Sequence, residues 1–260
     1  MRSVILPVGT LAAALLGAPV AGALPPAPAP VAAPASPVRA AGTGEDNVVP
    51  IIRGVRIRPA TPVLKPSTTT TITVDVRVTD DSGVDGIEAW LHAWDGLDGR
   101  EIKDFAQVPG RNGLYRASIT VSNRVHAGAW NTDFFVSDNA SNMALRRGKA
   151  PFRVKRDTRF QAFNVGPEPA RRGARLTAGG ELSRFDPEKG YVAYRGKRVQ
   201  ILFKRAKATK WISAGFATTD RAGRFSRAVK VAADGTWRAY FPGTDTYVAR
   251  RSGRDAVDVR

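Results

Sequence analysis

Side chains suited to nucleophilic or zinc chemistry are scarce in this 260-residue chain, which contains two histidines and no cysteine. A cysteine nucleophile is therefore excluded, and a histidine-rich zinc site is nearly so. The sequence contains no H-E-x-x-H, no G-x-S-x-G and no glycine-rich phosphate loop. A catalytic triad joining His92 or His126 to distant serine and aspartate residues stays open, because triads are defined by geometry. The residue types favour a protein without catalytic activity, and a hydrolase with an unrecognised histidine-dependent site is the alternative.

Positive charge is the strongest chemical feature of the sequence. Lysine and arginine number 40 against 23 aspartates and glutamates, which gives a net charge of +17 and a pI near 11.0. The excess is concentrated in residues 157–260, which hold 22 basic and 10 acidic side chains. The basic residues include a cluster in the segment KRAKATK and a pair further upstream: Lys204, Arg205, Lys207 and Lys210, with Arg171 and Arg172.

These basic clusters predict binding to phosphate-rich polymers such as wall teichoic acid, to anionic lipid headgroups or to extracellular nucleic acid. Nucleic acid is the weaker candidate, because no motif that interleaves aromatic residues accompanies the charges. The alternative is a solvated face that keeps the protein soluble.

A second candidate surface is aromatic. If residues 84–94 form a strand, Trp90, His92 and Trp94 share one of its faces with Glu88, because side chains alternate along a strand. The pattern predicts a flat platform for sugar rings or for a partner protein. The alternative is that one or both tryptophans pack in a sandwich core, as Trp211 and Trp237 are expected to do.

A third candidate is a calcium site built from carboxylates at two turns. Asp80 and Asp81 lie at one turn, with Asp85 just beyond, and Asp138 and Asn139 lie at another. If the turns meet at one end of a sandwich, they supply the oxygen ligands that calcium prefers. The alternative is that these side chains cap their own turns without an ion. No other cofactor is predicted.

The elements that position these residues are short strands. In residues 71–79, Ile72, Val74, Val76 and Val78 alternate with polar residues, which is the pattern of a half-buried strand. Similar runs occupy residues 51–58, 84–94, 113–121, 127–138 and 151–155, and then residues 159–165, 174–182, 197–205, 210–219, 223–231, 236–241 and 255–259. Turn-forming segments separate the runs, and no stretch has helical periodicity. The sequence therefore predicts an all-β fold of two tandem β-sandwiches, at residues 48–156 and 157–260.

The first 47 residues differ from the rest. Residues 1–23 contain one positive charge, an apolar run and an A-x-A pattern at Ala21–Ala23, which are typical of a secretory signal peptide. Residues 24–47 are rich in proline and alanine and predict an extended spacer. No later stretch approaches the ~20 apolar residues of a membrane span. We expect a secreted protein.

The segments FNVGPEPARRGARLTAGGELSR, YRGKRVQILFKR and FATTDRAGRFSRAVKVAADGTWRAYFPG resemble an immunoglobulin-like module of secreted proteins from high-GC Gram-positive bacteria. The first half resembles bacterial immunoglobulin-like domains that pair a D-x-SGV segment with a D-x-A-x-N segment, here 80–84 and 138–142. The resemblance implies fold and export but no catalytic site.

Together these observations predict a secreted protein that binds anionic cell-envelope or matrix polymers through residues 157–260. The first sandwich would act as a spacer or contact a glycan or protein. A calcium-stabilised adhesive or structural module and a secreted hydrolase are the alternatives.

Overall fold

The computed structural model describes residues 46–260, and the predicted signal peptide and nearly all of the predicted spacer lie outside them. The described chain forms nineteen β-strands and no helix. The all-β prediction is therefore confirmed. Within this part of the chain, no helix reaches the length and apolarity that a membrane crossing needs.

The first half contains ten strands in two sheets. One sheet has the order β1-β3-β7-β6, and the other has the order β2-β10-β8-β4-β5, with β9 also paired to β8. The strands are β1 (Ile51–Arg58), β2 (Val63–Leu64), β3 (Thr70–Thr79), β4 (Val84–Ala93), β5 (Gly99–Ile102), β6 (Ala106–Gln107), β7 (Leu114–Val121), β8 (Gly128–Asp138), β9 (Met143–Arg146) and β10 (Phe152–Arg156).

The second half contains nine strands, again in two sheets. One has the order β11-β12-β13 with β16 also paired to β12, and the other has the order β15-β14-β17-β18 with β19 also paired to β17. The strands are β11 (Thr158–Gly166), β12 (Arg175–Asp186), β13 (Gly190–Ala193), β14 (Arg198–Arg205), β15 (Ile212–Thr218), β16 (Arg224–Lys230), β17 (Gly235–Phe241), β18 (Arg250–Arg251) and β19 (Asp255–Val257).

Each pair of sheets encloses its own apolar core. In β3 the alternating residues Ile72, Val74, Val76 and Val78 are all buried, as the period of two predicts. In the second half, Trp237 and Ala239 of β17 pack with Val199 and Ile201 of β14. Two cores, each between two sheets, confirm the tandem β-sandwich architecture.

The two sandwiches contact each other directly. Phe185, near the end of β12, belongs to the core of the first sandwich, and Tyr191 packs against that core. The Asp157 carboxylate accepts a hydrogen bond from the Tyr191 hydroxyl at 2.6 Å and pairs with the Arg250 guanidinium. Lys155 Nζ also donates to the Thr244 carbonyl at 2.7 Å. We refer to these contacts as the junction. The predicted boundary between residues 156 and 157 stays a prediction, because all of the described residues belong to one compact unit.

Candidate anion-binding surface

The predicted basic cluster lies on the loop between β14 and β15. Arg205, Lys207 and Lys210 are exposed, and Lys204, the penultimate residue of β14, is half-buried. The Ala206 amide holds the loop in place by donating to the Asp234 carbonyl at 2.9 Å. Within residues 46–260, none of the four cations forms an ion pair. Their charge therefore faces solvent without a protein counter-charge.

The second predicted cluster lies at the same end of the sandwich. The Arg172 amide donates to the Arg260 carbonyl at 3.2 Å, and the neighbouring Val259 amide donates to the Asp234 carboxylate at 2.8 Å. Asp234 thus connects the segment after β19 to the β14–β15 loop. Arg171 and Arg172 are both exposed. We refer to Arg171, Arg172, Arg205, Lys207, Lys210 and Arg260 as the basic end.

The basic end and the junction lie at opposite ends of β17. Gly235 starts this strand beside Arg205, whereas the segment after Phe241 contains Thr244 and Tyr247, which contact Lys155 and Arg156. At ~3.3 Å per residue, the seven residues of β17 separate the two by about 20 Å. The basic end therefore faces away from the first sandwich.

A further basic surface, which includes the predicted Lys204 but whose cation–aromatic arrangement the sequence analysis did not predict, covers the outer face of the β14–β17 sheet. Trp237 points into the core and is only 2% exposed, so Arg238 and Tyr240 point outward with alternate residues of β14. Trp211 is half-buried on this outer face, and its expected place in the core is wrong. The alternation of apolar and other residues in TWRAYF is the sequence feature that predicts the outward direction of Arg238 and Tyr240. No pattern in the sequence around Trp211 predicts that its ring lies beside Arg238.

Aromatic rings and guanidinium groups are paired across this outer face. Arg238 Cζ lies 3.8 Å from the centre of the Trp211 ring, and Arg198 Cζ lies 3.7 Å from the centre of the Phe216 ring. Arg251 Cζ lies 5.7 Å from the Tyr240 ring, as does Lys204 Nζ from the Trp211 ring. Cation–π contacts restrict the guanidinium groups while their remaining N–H donors stay available. We refer to Arg198, Lys204, Trp211, Phe216, Arg238, Tyr240 and Arg251 as the outer face.

The environment of Arg238 on the outer face disfavours its positive charge. Burial lowers the pKa of this guanidinium from its ordinary value, and the positive charges of Arg251 and Arg254 lower it further. Its Nε atom is inaccessible to solvent and has no hydrogen-bond partner among the described residues. The charges of Arg251 and Arg254 thus act unfavourably on Arg238, which forms no ion pair within residues 46–260, and an anion would relieve this repulsion.

The predicted aromatic platform is exposed on the first sandwich. Trp90 is 47% exposed and Trp94 is 74% exposed, so the expectation that one or both lie in the core is wrong. The Trp90 ring covers Gly99, where an added Cβ would lie 2.6 Å from it. A cavity of about 260 Å³ adjoins the ring and is also lined by Glu101, Asp133 and Phe135. The sequence did not indicate that Phe135 lines this cavity, because its position depends on the pairing of β8 with β4, in which Phe135 is opposite Glu88.

Each histidine faces one aspartate. His92 Nε2 lies 3.5 Å from Asp133 Oδ2 without forming a hydrogen bond, and His126 Nε2 lies 3.0 Å from Asp95 Oδ2. In the described chain neither imidazole hydrogen-bonds a serine hydroxyl. The arrangement that a serine-dependent triad requires is not assembled among residues 46–260.

The two predicted calcium-binding turns meet at one end of the first sandwich, where Asn139 Nδ2 donates to the Ser82 carbonyl at 2.7 Å. Asp138 is buried and its carboxylate accepts from the Ala140 and Asn142 amides, so it caps its own turn. Asp80 Oδ1 similarly accepts from the Ser82 and Gly83 amides.

A different carboxylate completes the cluster. Oxygen atoms of Asp46, Asp80 and Asp81 lie within 4.8 Å of one another. Asp46 was missed because it lies in the predicted spacer, and the Asn142 side chain holds its backbone carbonyl at 2.9 Å. The structure thus groups Asp80 and Asp81 with Asp46 and leaves Asp138 and Asn139 in turn contacts. Calcium binding here stays a prediction.

No protein-family model and no curated protein sequence matches the chain. Solved structures with similar folds include a D00-D0 fragment of intimin, at 14% identity and a TM-score of 0.29 over 80% of this chain and 99% of that fragment. A fragment of titin has 11% identity and a TM-score of 0.31 over 80% and 65%. Salmonella alpha-2-macroglobulin has 15% identity and a TM-score of 0.36 over 83% of this chain and only 15% of its own.

Proposed function

We propose that this chain is a secreted, non-enzymatic binding protein whose second sandwich docks onto anionic polymers of the cell envelope or surrounding matrix. The observation that carries the proposal is the basic end, where exposed cations lie without ion-pair partners in the described chain. The position of this cluster, away from the junction, supports a docking role, because a polymer can reach it without contacting the first sandwich.

The physical basis of the binding is the release of counterions. A densely charged polyanion holds a layer of small cations, and each protein cation that neutralises one polymer charge frees one of them. Such binding weakens steeply with salt, because returning ions to a concentrated solution gains less entropy. Clustered cations produce this behaviour, whereas cations paired with carboxylates contribute little.

The exposed Trp90 supports a second, separate contact on the first sandwich. Aromatic rings stack on the apolar faces of sugars, and the Glu101 and Asp133 carboxylates beside the ring accept hydrogen bonds from hydroxyl groups. We propose this face as a glycan contact subordinate to the basic end.

The proposal is tested by sedimenting the full chain with purified cell wall that carries phosphate polymers. The triple variant Arg205→Gln, Lys207→Gln and Lys210→Gln removes three charges from the basic end. We expect its affinity at low salt to fall by at least tenfold, because each lost phosphate contact also removes a counterion-release contribution.

A matched control separates local from global charge. Arg77, Arg111 and Arg124 are exposed on the first sandwich, and no ion pair involves them among residues 46–260. Their replacement by glutamine changes the net charge by the same amount. The control variant should bind as the wild type does, and an equal loss in both variants would overturn the assignment to the basic end.

A further inference from the structure

We propose that the outer face is a track for a linear, phosphate-bearing polymer, with its guanidinium–aromatic pairs as successive anion contacts. This inference rests on the proposed function and deepens it by naming the surface along which the polymer lies and the chemical form of the polymer. The basic end would supply the first electrostatic attraction, and the outer face would bind consecutive phosphate groups.

The strand register sets the spacing of the contacts. Lys204 pairs with Thr236 at the start of β17, and Tyr240 pairs with both Gln200 and Arg251 near its end. Arg238 lies between these two positions. Four residues of strand correspond to about 13 Å, so cationic groups are distributed along a line and not gathered at one point.

The state of Arg238 favours an anion over a neutral ligand. Its guanidinium lies over the Trp211 ring with an inaccessible, unpartnered Nε, is repelled by the charges of Arg251 and Arg254, and forms no ion pair in the part of the chain that the structure describes. At the Tyr240 end of the outer face, Tyr240 and Arg251 line an open cavity of about 410 Å³ together with Ala249 and Arg250. A phosphate group in this cavity would accept hydrogen bonds from the Arg251 guanidinium and offset the charge with which Arg251 repels Arg238.

The aromatic rings argue for a phosphate polymer and against bases. Guanidinium groups lie 3.8 Å and 3.7 Å from the centres of the Trp211 and Phe216 rings, and each occupies one ring face. A single-stranded nucleic acid gains affinity by stacking its bases on free aromatic faces. Here these faces orient arginines instead, so the surface presents hydrogen-bond donors.

The test uses the full chain and a length series of inorganic phosphates: orthophosphate, tripolyphosphate and long-chain polyphosphate. A track with several contacts gains affinity from linked phosphates, because later contacts form intramolecularly. We expect the dissociation constant per chain to fall at least a hundredfold from orthophosphate to long-chain polyphosphate. Equal affinity per phosphate across the series would overturn the track.

Charge-preserving variants test the geometry separately from charge. The triple change Arg198→Lys, Arg238→Lys and Arg251→Lys keeps every charge but removes the planar fork that stacks and binds two oxygens. We expect at least a tenfold loss for polyphosphate, whereas lysine at the exposed Arg111, Arg124 and Arg221 should have no effect. Unchanged binding by the outer-face variant would overturn the inference.

The outcomes for this inference and for the proposed function are distinguishable. If the outer-face variant binds wall and polyphosphate as the wild type does, the track is wrong and docking through the basic end stands. If the wild type binds polyphosphate but not wall, the track stands and the envelope function is wrong. Single-stranded DNA of matched charge should bind more weakly than polyphosphate. Tighter DNA binding would mean that bases stack on the rings, which contradicts the proposed arrangement.

Discussion

At the scale of single residues, the buried carboxylate of Asp75 shows how a charge is accommodated inside a sheet. It accepts hydrogen bonds from Arg58 Nη2 and Arg116 Nε, both at 2.6 Å. Asp75→Asn removes the charge and keeps the shape. Because both arginine side chains are more than a third exposed, solvent screening limits the expected loss of unfolding free energy to about 1–2 kcal/mol, measured by urea denaturation at pH 7.

The pH dependence of this variant follows from the same contacts. The hydrogen bond from Arg116 holds the pKa of Asp75 below its ordinary value of 3.8, against the opposing effect of burial, and the charge of Arg58 lowers it further. A lowered native pKa stabilises the fold above the unfolded pKa and loses that contribution as pH falls through the native pKa. The difference between wild type and variant should therefore shrink below about pH 4. A constant difference down to pH 2 would contradict this account.

Removing a charge should have the opposite effect at Asp46, Asp80 and Asp81, where it should stabilise the fold. The carboxylate oxygens of these three residues lie within 4.8 Å of one another. Asp81→Asn keeps the oxygen that accepts from the Ser82 amide and removes one of the three charges. In the presence of a chelator, we expect thermal denaturation to show a rise in Tm of about 1–2 °C, since like-charge repulsion is relieved. A lower Tm in chelator would show that the Asp81 charge has a stabilising partner. Adding calcium to both proteins tests the calcium prediction separately.

At the scale of elements, the turn between β15 and β16 depends on one glycine. Gly223 has φ +76°, and an added Cβ would lie 2.5 Å from the Leu182 carbonyl oxygen. Gly223→Ala therefore combines backbone strain with a backbone clash, and we expect a loss of about 2–3 kcal/mol in unfolding free energy.

Gly110 provides the matched control for that turn. It has φ +69°, and nothing lies within 4 Å of an added Cβ. Gly110→Ala should cost only about 1 kcal/mol, because it carries the strain without the clash. Equal losses in the two variants, measured by the same denaturation, would mean that the close approach at Gly223 is not significant.

The elements also show how much of the fold could be predicted. The long strands were predicted because each repeats the period of two several times, as β3 does. β2, β5, β6, β9, β13 and β18 were missed because they contain only two to four residues, too few for a period to appear. The end of β12 was missed for another reason. Phe185 belongs to a strand of the second sandwich but packs in the core of the first sandwich. A contact between sandwiches produces no periodic pattern in the sequence.

The candidate site also has one part that the sequence predicts and one part that it does not. The basic loop was predicted because its four charges lie within the seven-residue segment KRAKATK. The arrangement of the outer face was missed because it depends on register: Leu202 is opposite Arg238, and Gln200 is opposite Tyr240. Such pairings join residues some 40 positions apart and are set by tertiary structure. Charge clusters can be recognised locally, whereas cation–aromatic pairs across strands cannot.

At the scale of the whole molecule, the junction couples the two sandwiches through Tyr191. Burial raises the pKa of its hydroxyl to about 12, and the hydrogen bond to Asp157 contributes to the rise. A raised native pKa means that the contribution is complete below the unfolded pKa near 10 and is lost as pH rises from about 10 to 12. Tyr191→Phe should lose about 1 kcal/mol at pH 7 and be less sensitive than wild type in that alkaline range. Parallel stability curves from pH 9 to 12 would contradict this assignment.

We propose that the basic end of the second sandwich docks the protein onto anionic envelope polymer through cations that form no ion pair among the described residues. The most direct test is the affinity of the full chain for purified cell wall across a salt series, before and after removal of the phosphate polymers of the wall. We expect binding that requires these polymers, with a logarithm of the association constant that falls steeply and linearly with the logarithm of salt concentration. Binding that is insensitive to salt or unchanged on stripped wall would contradict it.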